Sequence, residues 1–129
     1  MSIEANKDLV HRYFDQRWNH GNFDICDEVL APPMDSQSAK EWGIKTYNTF
    51  AGDRQFTIRD IIAEGDQVMV HWEDRGTHQG EYLGVAATGK EVTIEGIALL
   101  RIADGKIVSD VAYWDNLSIL KQLGAVPQT

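Results

Sequence analysis

The first half of the chain carries apolar residues at helical spacing. Val10, Phe14 and Trp18 recur every four residues and give a first helix one apolar face. Gly21 interrupts this pattern, and a short second helix is predicted from the apolar residues that follow, Phe23, Cys26, Val29 and Leu30. Two prolines at 32–33 end that helix, because proline has no backbone N–H with which to continue the turn.

A third helix is predicted between these prolines and the middle of the chain. Ser38 and Glu41 form the Ser-x-x-Glu pattern of a capping box, so the helix is expected to begin at Ser38. It carries Trp42 and Phe50 and is expected to end near Gly52, because glycine is the usual residue at a helix C-cap.

The second half alternates between apolar and polar residues, which predicts strands; Phe56, Ile58 and Ile62, for example, are expected on one face of a half-buried strand. Five are expected, at about 56–62, 68–74, 76–84, 92–102 and 106–114, with a short helix at 117–123. Asp104-Gly105 is the strongest hairpin signal between them. Helices followed by antiparallel strands are the α+β pattern, and the length fits one domain over residues 1–129.

The fourth and fifth predicted strands are apolar on both faces. Alternation puts Ile94, Ala98 and Leu100 on one face of the fourth strand and Ile97 and Leu99 on the other. In the fifth strand, Val108, Ala112 and Trp114 oppose Ile107, Val111 and Tyr113. Helices and a pocket can cover only one face, so we expect a homodimer that covers the outer sheet face.

The charge of the chain disfavours some classes of partner. Twelve Lys and Arg against twenty Asp and Glu give a net charge of −8, which repels nucleic acid and anionic membrane surfaces. No apolar run approaches the length of a membrane span, and the first residues lack a signal-peptide pattern, so a cytoplasmic location is expected. The single cysteine, Cys26, is interpreted as a core residue.

Three segments carry a resemblance to a known family. LRIADGKIVSDVAYWDNLSILKQLG, GTHQGEYLGVAATGKEV and VHRYFDQRWNHGNFD resemble the SnoaL-like polyketide cyclases of the nuclear-transport-factor-2-like superfamily. The resemblance runs from about Leu9 to Gly124. It implies three N-terminal helices packed on a curved antiparallel sheet, a cystatin-like α+β barrel. Its cone-shaped pocket would hold a small apolar or aromatic molecule.

The same resemblance locates the family's catalytic positions. Cyclases that close rings by an aldol step use an aspartate on the last strand, which corresponds to Ala112, and a histidine that corresponds to Ala98. Alanine cannot transfer a proton, so that mechanism does not carry over. The Arg-x-Asp of related epoxide hydrolases aligns with Trp72-Glu73-Asp74, which keeps only the aspartate. A polar pocket residue of the helix 2–3 loop corresponds to Ser36.

Three other residues are candidates for acid/base chemistry. Asp110 shares a strand face with Ala112, and burial in an apolar pocket would raise its pKa; alternatively it is solvated at the pocket mouth. Asp74 could be a second carboxylate of the site, or it could pair with Arg75 or another nearby cation at the strand end. His78 could serve as donor or base, or be a hydrogen-bonded rim residue.

Aromatic residues could form the pocket walls. Tyr13, Trp18, Trp72 and Trp114, together with Ala98 and Ala112, are the candidate ligand-binding residues; the alternative for the aromatics is ordinary core packing. Asp115 alternates away from this face and is interpreted as the N-cap of the last helix.

The sequence leaves two classes of function open. It contains no paired metal-ligand spacing and no phosphate-binding loop, so we expect neither a metal nor a cofactor. The first hypothesis is a cofactor-independent cyclase or isomerase that moves protons on a small apolar carbonyl compound. The second is a non-catalytic binding protein that has lost the family's aspartate. A protein-interaction module that uses the apolar sheet face is a third, more distant alternative.

Overall fold

The chain folds as helices packed on one face of an antiparallel sheet. The computed structural model describes residues 2–126. The helices are α1 Ile3–Trp18, α2 Ile25–Val29, α3 Ser36–Thr49 and α4 Asn116–Gln122. The strands are β1 Gln55–Glu64, β2 Gln67–Thr77, β3 Glu91–Ala103 and β4 Lys106–Trp114. They form one curved sheet in the order β1-β2-β3-β4, each pair antiparallel, which confirms the α+β prediction.

Helix α1 is fixed to the sheet at its C-terminal end. Its N-cap Ser2 accepts a hydrogen bond from the Ala5 backbone N–H at 3.0 Å. After the helix, the Asn19 side chain donates to the Phe56 carbonyl at 3.1 Å and accepts from the Phe56 N–H at 2.7 Å. These two hydrogen bonds hold the end of α1 against β1, and the apolar residues of the helix face the sheet.

Helix α3 begins earlier than the capping-box pattern predicts. Asp35 is the N-cap and accepts from the Gln37 N–H at 3.0 Å, whereas Ser38 lies within the first turn and donates to Asp35 at 2.8 Å. Glu41 accepts from the Gln37 side chain instead of returning to an N-cap. The prediction of Ser38 as the cap is therefore wrong, because an aspartate three residues upstream offers the better acceptor.

The predicted strand at 76–84 does not form, so the sheet has four strands and not five. Strand β2 runs on to Thr77, and residues 78–90 are a loop whose one bridge joins Tyr82 and Val85. Backbone N–H groups of Gln79 and Gly80 bond to the Thr49 carbonyl at 2.8 and 3.2 Å. The loop thus donates its backbone hydrogen bonds to a carbonyl at the C-terminal end of α3 rather than to a neighbouring strand.

Two irregularities in pairing change which face some residues occupy. The register shifts between Ile58 and Asp60 in β1, and Ile62 is consequently 65% exposed on the outer face rather than sharing a face with Phe56. A second shift, where Ile102 pairs with Ile107, turns Ile107 inward, and it is fully buried. An extra residue in one strand breaks period-two alternation, so the prediction for Ile107 is wrong.

The outer face of the sheet carries an apolar band. Cross-strand pairing joins Ile62 to Met69, Met69 to Leu99 and Leu99 to Val111, and Ile97 pairs with Tyr113. Tyr113 is 77% exposed and Val111 is also exposed. No helix in residues 2–126 is long and apolar enough to cross a membrane.

Candidate functional site

A cavity of about 310 Å³ lies between the helices and the inner face of the sheet. Its walls are largely aromatic and come from α1, α3 and all four strands. The Phe56 ring stacks on Trp72 at a centroid distance of 5.5 Å and on Phe14 at 5.4 Å, so the β1 side of the wall is continuous. The other aromatic wall residues are Trp18, Trp42, Phe50, Tyr82 and Trp114.

Five of the predicted ligand-binding residues line this cavity: Trp18, Trp72, Ala98, Ala112 and Trp114. Ala98 and Ala112 face each other across β3 and β4, and their small side chains leave the space open. Tyr13 lines a neighbouring, more open cavity of about 450 Å³. The two cavities share the side chains of Arg17, Trp42, Asp110, Ala112 and Trp114.

Asp110 lies where the two cavities meet. Strand β4 turns it inward beside Ala112, and its Oδ1 atom is buried without a hydrogen-bond partner among residues 2–126. Burial raises the pKa of the Asp110 carboxyl, and the Arg17 guanidinium only partly opposes this. A carboxyl with a raised pKa and a free oxygen can accept a proton from a ligand in the cavity.

Asp74 is held in an ion pair. Its partner is Arg54 and not Arg75, whose guanidinium donates to Gln55 at 2.8 Å. The side chains of Arg54 and Asp74 are 4% and 8% exposed, and both line the cavity. Burial raises the pKa of Asp74 to about 6 although Arg54 acts in the opposite direction. Near neutral pH Asp74 is therefore mostly ionised and already engaged by a cation.

His78 lies outside the lining of both cavities. It is fully buried, and the Phe50 ring packs on it at a centroid distance of 5.7 Å. Its Nδ1 accepts from the Thr88 backbone N–H at 3.1 Å and lies 3.0 Å from the Thr88 hydroxyl oxygen. The imidazole thus holds the 78–90 loop together, and the expected position of His78 beside a bound ligand is not the one it occupies.

Two arginines of the site were not anticipated from the sequence. Arg17 is 4% exposed and lies on the apolar side of α1, its guanidinium 4.3 Å from the Tyr13 ring centroid and 4.6 Å from that of Trp18. Its spacing of four from Tyr13 is a signal that could have revealed it. Arg54 precedes β1 in a loop, where no periodicity identifies it.

A hydrogen-bonded cluster of Trp114, Tyr82 and Asn116 forms part of the cavity wall. Trp114 Nε1 donates to Asn116 at 2.9 Å and to the Tyr82 hydroxyl at 3.2 Å, and Tyr82 also donates to Asn116. These bonds fix the Trp114 ring and tie the 78–90 loop to the start of α4. Asp115 caps α4 by accepting from the Ser118 N–H at 2.9 Å, which confirms its interpretation as an N-cap.

Ser36, the expected counterpart of a family pocket residue, lies elsewhere. It is the first residue of α3, bonds to Asp27 and does not line either cavity. Among residues 2–126, no three His, Cys, Asp or Glu side chains are grouped so that they could hold a metal ion.

Helices packed on a curved antiparallel sheet around a largely aromatic cavity define a class of protein that can enclose a small molecule. Residues 8–123 match the model of the SnoaL-like polyketide cyclases, and the chain belongs to this family. It is 28% identical over 119 residues to nogalonic acid methyl ester cyclase of Streptomyces nogalater, covering 83% of this chain and 89% of that protein.

Solved structures with the same fold include proteins from other streptomycetes. AclR, a candidate hydroxylase from Streptomyces galilaeus, is 26% identical with a TM-score of 0.87, over 98% of this chain and 89% of that one. IdmH, a candidate polyketide cyclase from Streptomyces antibioticus, is 27% identical with a TM-score of 0.79, over 92% and 98%. TsrD from Streptomyces laurentii, 21% identical with a TM-score of 0.85 over 98% and 99%, shows the shared fold alone.

Proposed function

We propose that this protein is a cofactor-independent cyclase-type enzyme that moves a proton on a small, polyketide-like carbonyl compound, with Asp110 as the acid/base residue. The observation that carries the proposal is the Asp110 carboxyl, which lines the cavity with a raised pKa and an unpartnered oxygen. A general base works best when its pKa lies near the operating pH, and burial shifts Asp110 in that direction.

The proposed reaction is an intramolecular aldol closure in which Asp110 takes over the proton transfer of the family's aspartate, whose position is occupied by Ala112. The Asp110 carboxylate takes a proton from the carbon beside one carbonyl, and the C–H electron pair forms the C=C bond of an enolate. The enolate carbon then attacks a second carbonyl of the same molecule, which forms the ring C–C bond and leaves an alkoxide. Protonated Asp110 returns its proton to that alkoxide, so the carboxylate is restored and no co-reactant is needed.

The other candidates fit the role of base less well. Ala98 and Ala112 have no group that transfers a proton. Asp74 is engaged by Arg54, and His78 is separated from the cavity by its place behind Phe50. Asp74 and Arg54 together would instead form a fixed polar corner in an otherwise aromatic wall, one that orients the carbonyl groups of the ligand.

Comparison of Asp110→Asn with the wild type tests this role. Both proteins, and Asp8→Asn as a control at an exposed carboxylate of α1, are incubated with a metabolite extract and followed by untargeted mass spectrometry. We expect a compound that the wild type and Asp8→Asn consume, and that Asp110→Asn consumes at least about 100-fold more slowly. Equal consumption by Asp110→Asn would remove Asp110 from the mechanism.

A second candidate function is binding without turnover. The observation in its favour is that Ala98 and Ala112 occupy adjacent positions on β3 and β4 where the family resemblance places the histidine and aspartate. A compound that co-purifies with wild type and Asp110→Asn alike, and is recovered unchanged from both, would support this alternative.

We further propose that the protein is a homodimer joined through the outer sheet face. The support is the apolar band Ile62–Met69–Leu99–Val111, which crosses all four strands, flanked by the exposed Tyr113. Light scattering at micromolar concentration should give twice the monomer mass for the wild type and for Leu117→Glu, an exposed change on α4, but the monomer mass for Val111→Glu. A monomeric wild type would contradict the proposal.

A further inference from the structure

Arg17 is a buried cation of the site that has no anionic or hydrogen-bonding partner among residues 2–126. It is 4% exposed, yet it makes no ion pair and no side-chain hydrogen bond with any of residues 2–126, and its Nε atom is buried and unsatisfied. The Nε atom of Arg54 is unsatisfied as well, but the charge of Arg54 is matched by its ion pair with Asp74. A desolvated cation is costly unless an anion compensates it, so the position of Arg17 requires an explanation.

The aromatic neighbours of Arg17 stabilise it only in part. The guanidinium lies over the Tyr13 and Trp18 rings at 4.3 and 4.6 Å, distances at which cation–π attraction contributes roughly 0.5–2 kcal/mol each. The Tyr13 and Trp18 rings contact the guanidinium but offer no hydrogen-bond acceptor to its N–H groups. Asp110, whose pKa is raised by burial and partly lowered by the charge of Arg17, forms no ion pair with it: the guanidinium nitrogens and carboxyl oxygens are more than 4.0 Å apart.

Arg17 and Asp110 line the same two cavities, and each lacks the kind of hydrogen-bond partner that the other lacks in reverse: one lacks an acceptor and the other a donor. Arg17 lacks a hydrogen-bond acceptor, and the Oδ1 atom of Asp110 lacks a donor. A molecule that fills the junction of the cavities could supply both, with an oxygen toward Arg17 and an acidic hydrogen toward Asp110. The aromatic walls around them require the rest of that molecule to be apolar and flat.

We propose that Arg17 binds an oxyanion of the ligand, either a carboxylate or the enolate of a β-dicarbonyl group, carried on an apolar ring system. The arginine fork suits such an oxygen because its planar N–H groups form short, charge-assisted hydrogen bonds. The inference rests on the proposed function only in using the same cavity, since binding of an oxyanion does not require turnover. The other cation of the cavity, Arg54, is already neutralised by Asp74 and does not compete for this oxygen.

Isothermal titration calorimetry with two matched probe pairs tests the inference. The first pair is naphthalene carboxylate and its methyl ester, which share a skeleton but differ in charge. The second pair is phenylcyclohexanedione, a cyclic β-diketone that is an enolate at neutral pH, and its methyl enol ether. We expect the wild type to bind at least one anion roughly 10-fold or more tightly than its neutral partner.

Variants then assign that preference to Arg17. Arg17→Met keeps an apolar stem of similar length and should bind anion and neutral partner equally, whereas Arg12→Met, an exposed change on the same helix, should keep the preference. Arg17→Lys retains the charge and should keep a reduced preference. If Arg17→Met does not fold, the comparison of Arg17→Lys with the wild type decides in its place.

The outcomes separate this inference from the catalytic proposal. A preference for the carboxylate alone or for the enolate alone supports the inference and identifies the source of the oxyanion. No preference in the wild type, or one that persists in Arg17→Met or is unchanged in Arg17→Lys, overturns it. The anion preference is an equilibrium binding measurement, so a failure of the catalytic proposal leaves this result standing, and loss of the preference in Arg17→Met leaves the role of Asp110 to its own test.

Discussion

A methyl group added at Gly96 should push a wall of the cavity out of place. Gly96 faces inward on β3 and pairs with Trp72 on one side and Trp114 on the other. A Cβ atom built there would lie 2.4 Å from Trp72 Cζ2 and 2.6 Å from the Tyr113 carbonyl oxygen. Cβ atoms in proteins essentially never lie closer than 3.0 Å to such atoms. Glycine is therefore required at this position by the close approach of the Trp72 indole and the neighbouring strand.

The expected loss of stability in Gly96→Ala follows from these distances. To move from 2.4 Å to an ordinary contact at 3.4 Å, the Trp72 ring edge must shift by about 1.0 Å, and Phe56 stacked on it restricts the direction. The Tyr113 carbonyl belongs to the β4 backbone and cannot rotate away. Overpacking of this kind costs about 1–3 kcal/mol, which lowers Tm by roughly 4–11 °C in a domain of this size.

Circular dichroism measures both consequences of Gly96→Ala. Far-UV melting gives Tm, and the near-UV tryptophan bands report the displaced Trp72 ring. Thr93→Ala is the matched control, since Thr93 is exposed on the opposite face of the same strand. If Gly96→Ala melts within about 1 °C of Thr93→Ala and keeps the wild-type near-UV spectrum, the reasoning from close approach is refuted.

Three further changes test the helix cap, the buried ion pair and the buried carboxyl, each by urea unfolding. Asp35→Ala should lower the free energy of unfolding by about 1 kcal/mol and Ser38→Ala by less, because Asp35 is the acceptor of the helix N–H; the reverse order would restore Ser38 as the cap. Asp74→Ala should cost about 3 kcal/mol by leaving Arg54 buried without its anion, and a loss below about 1 kcal/mol would show that the pair is hydrated. Asp110→Asn should be more stable than the wild type at neutral pH, on the order of 1 kcal/mol. Because burial raises the pKa of Asp110, the native state holds this proton after the unfolded chain has lost it, and wild-type stability falls as pH rises from about 4 through the native pKa. The advantage of Asp110→Asn should therefore grow over that window and then level off; an advantage that shrinks as pH rises would contradict the pKa direction.

The sequence was sufficient for the elements whose signals are local. The apolar period of four in α1 and the Asp104-Gly105 turn between β3 and β4 depend on neighbouring residues, and both predictions agree with the structure. The inward face of Asp110, Ala112 and Trp114 followed from alternation, because no irregularity interrupts β4 between them.

Local signals gave wrong predictions where residues far apart in the chain compete for the same backbone hydrogen bonds. The 76–84 segment alternates like a strand, yet its N–H groups are taken by the Thr49 carbonyl of α3, a partner that lies about thirty residues earlier in the chain. Ile62 and Ile107 occupy unexpected faces because the register shifts that precede them depend on how adjacent strands pair.

The same distinction between local signals and contacts of distant residues applies to the candidate site. The sequence by itself determined the family, the α+β arrangement and the presence of a carboxylate on the inward face of the last strand. Only the tertiary structure decided that Arg54 neutralises Asp74, that His78 lies behind Phe50, and that Arg17 and Asp110 border one cavity unpaired. The physical reason is that charge pairing and desolvation depend on distances between residues far apart in the chain, which periodicity along one element does not specify.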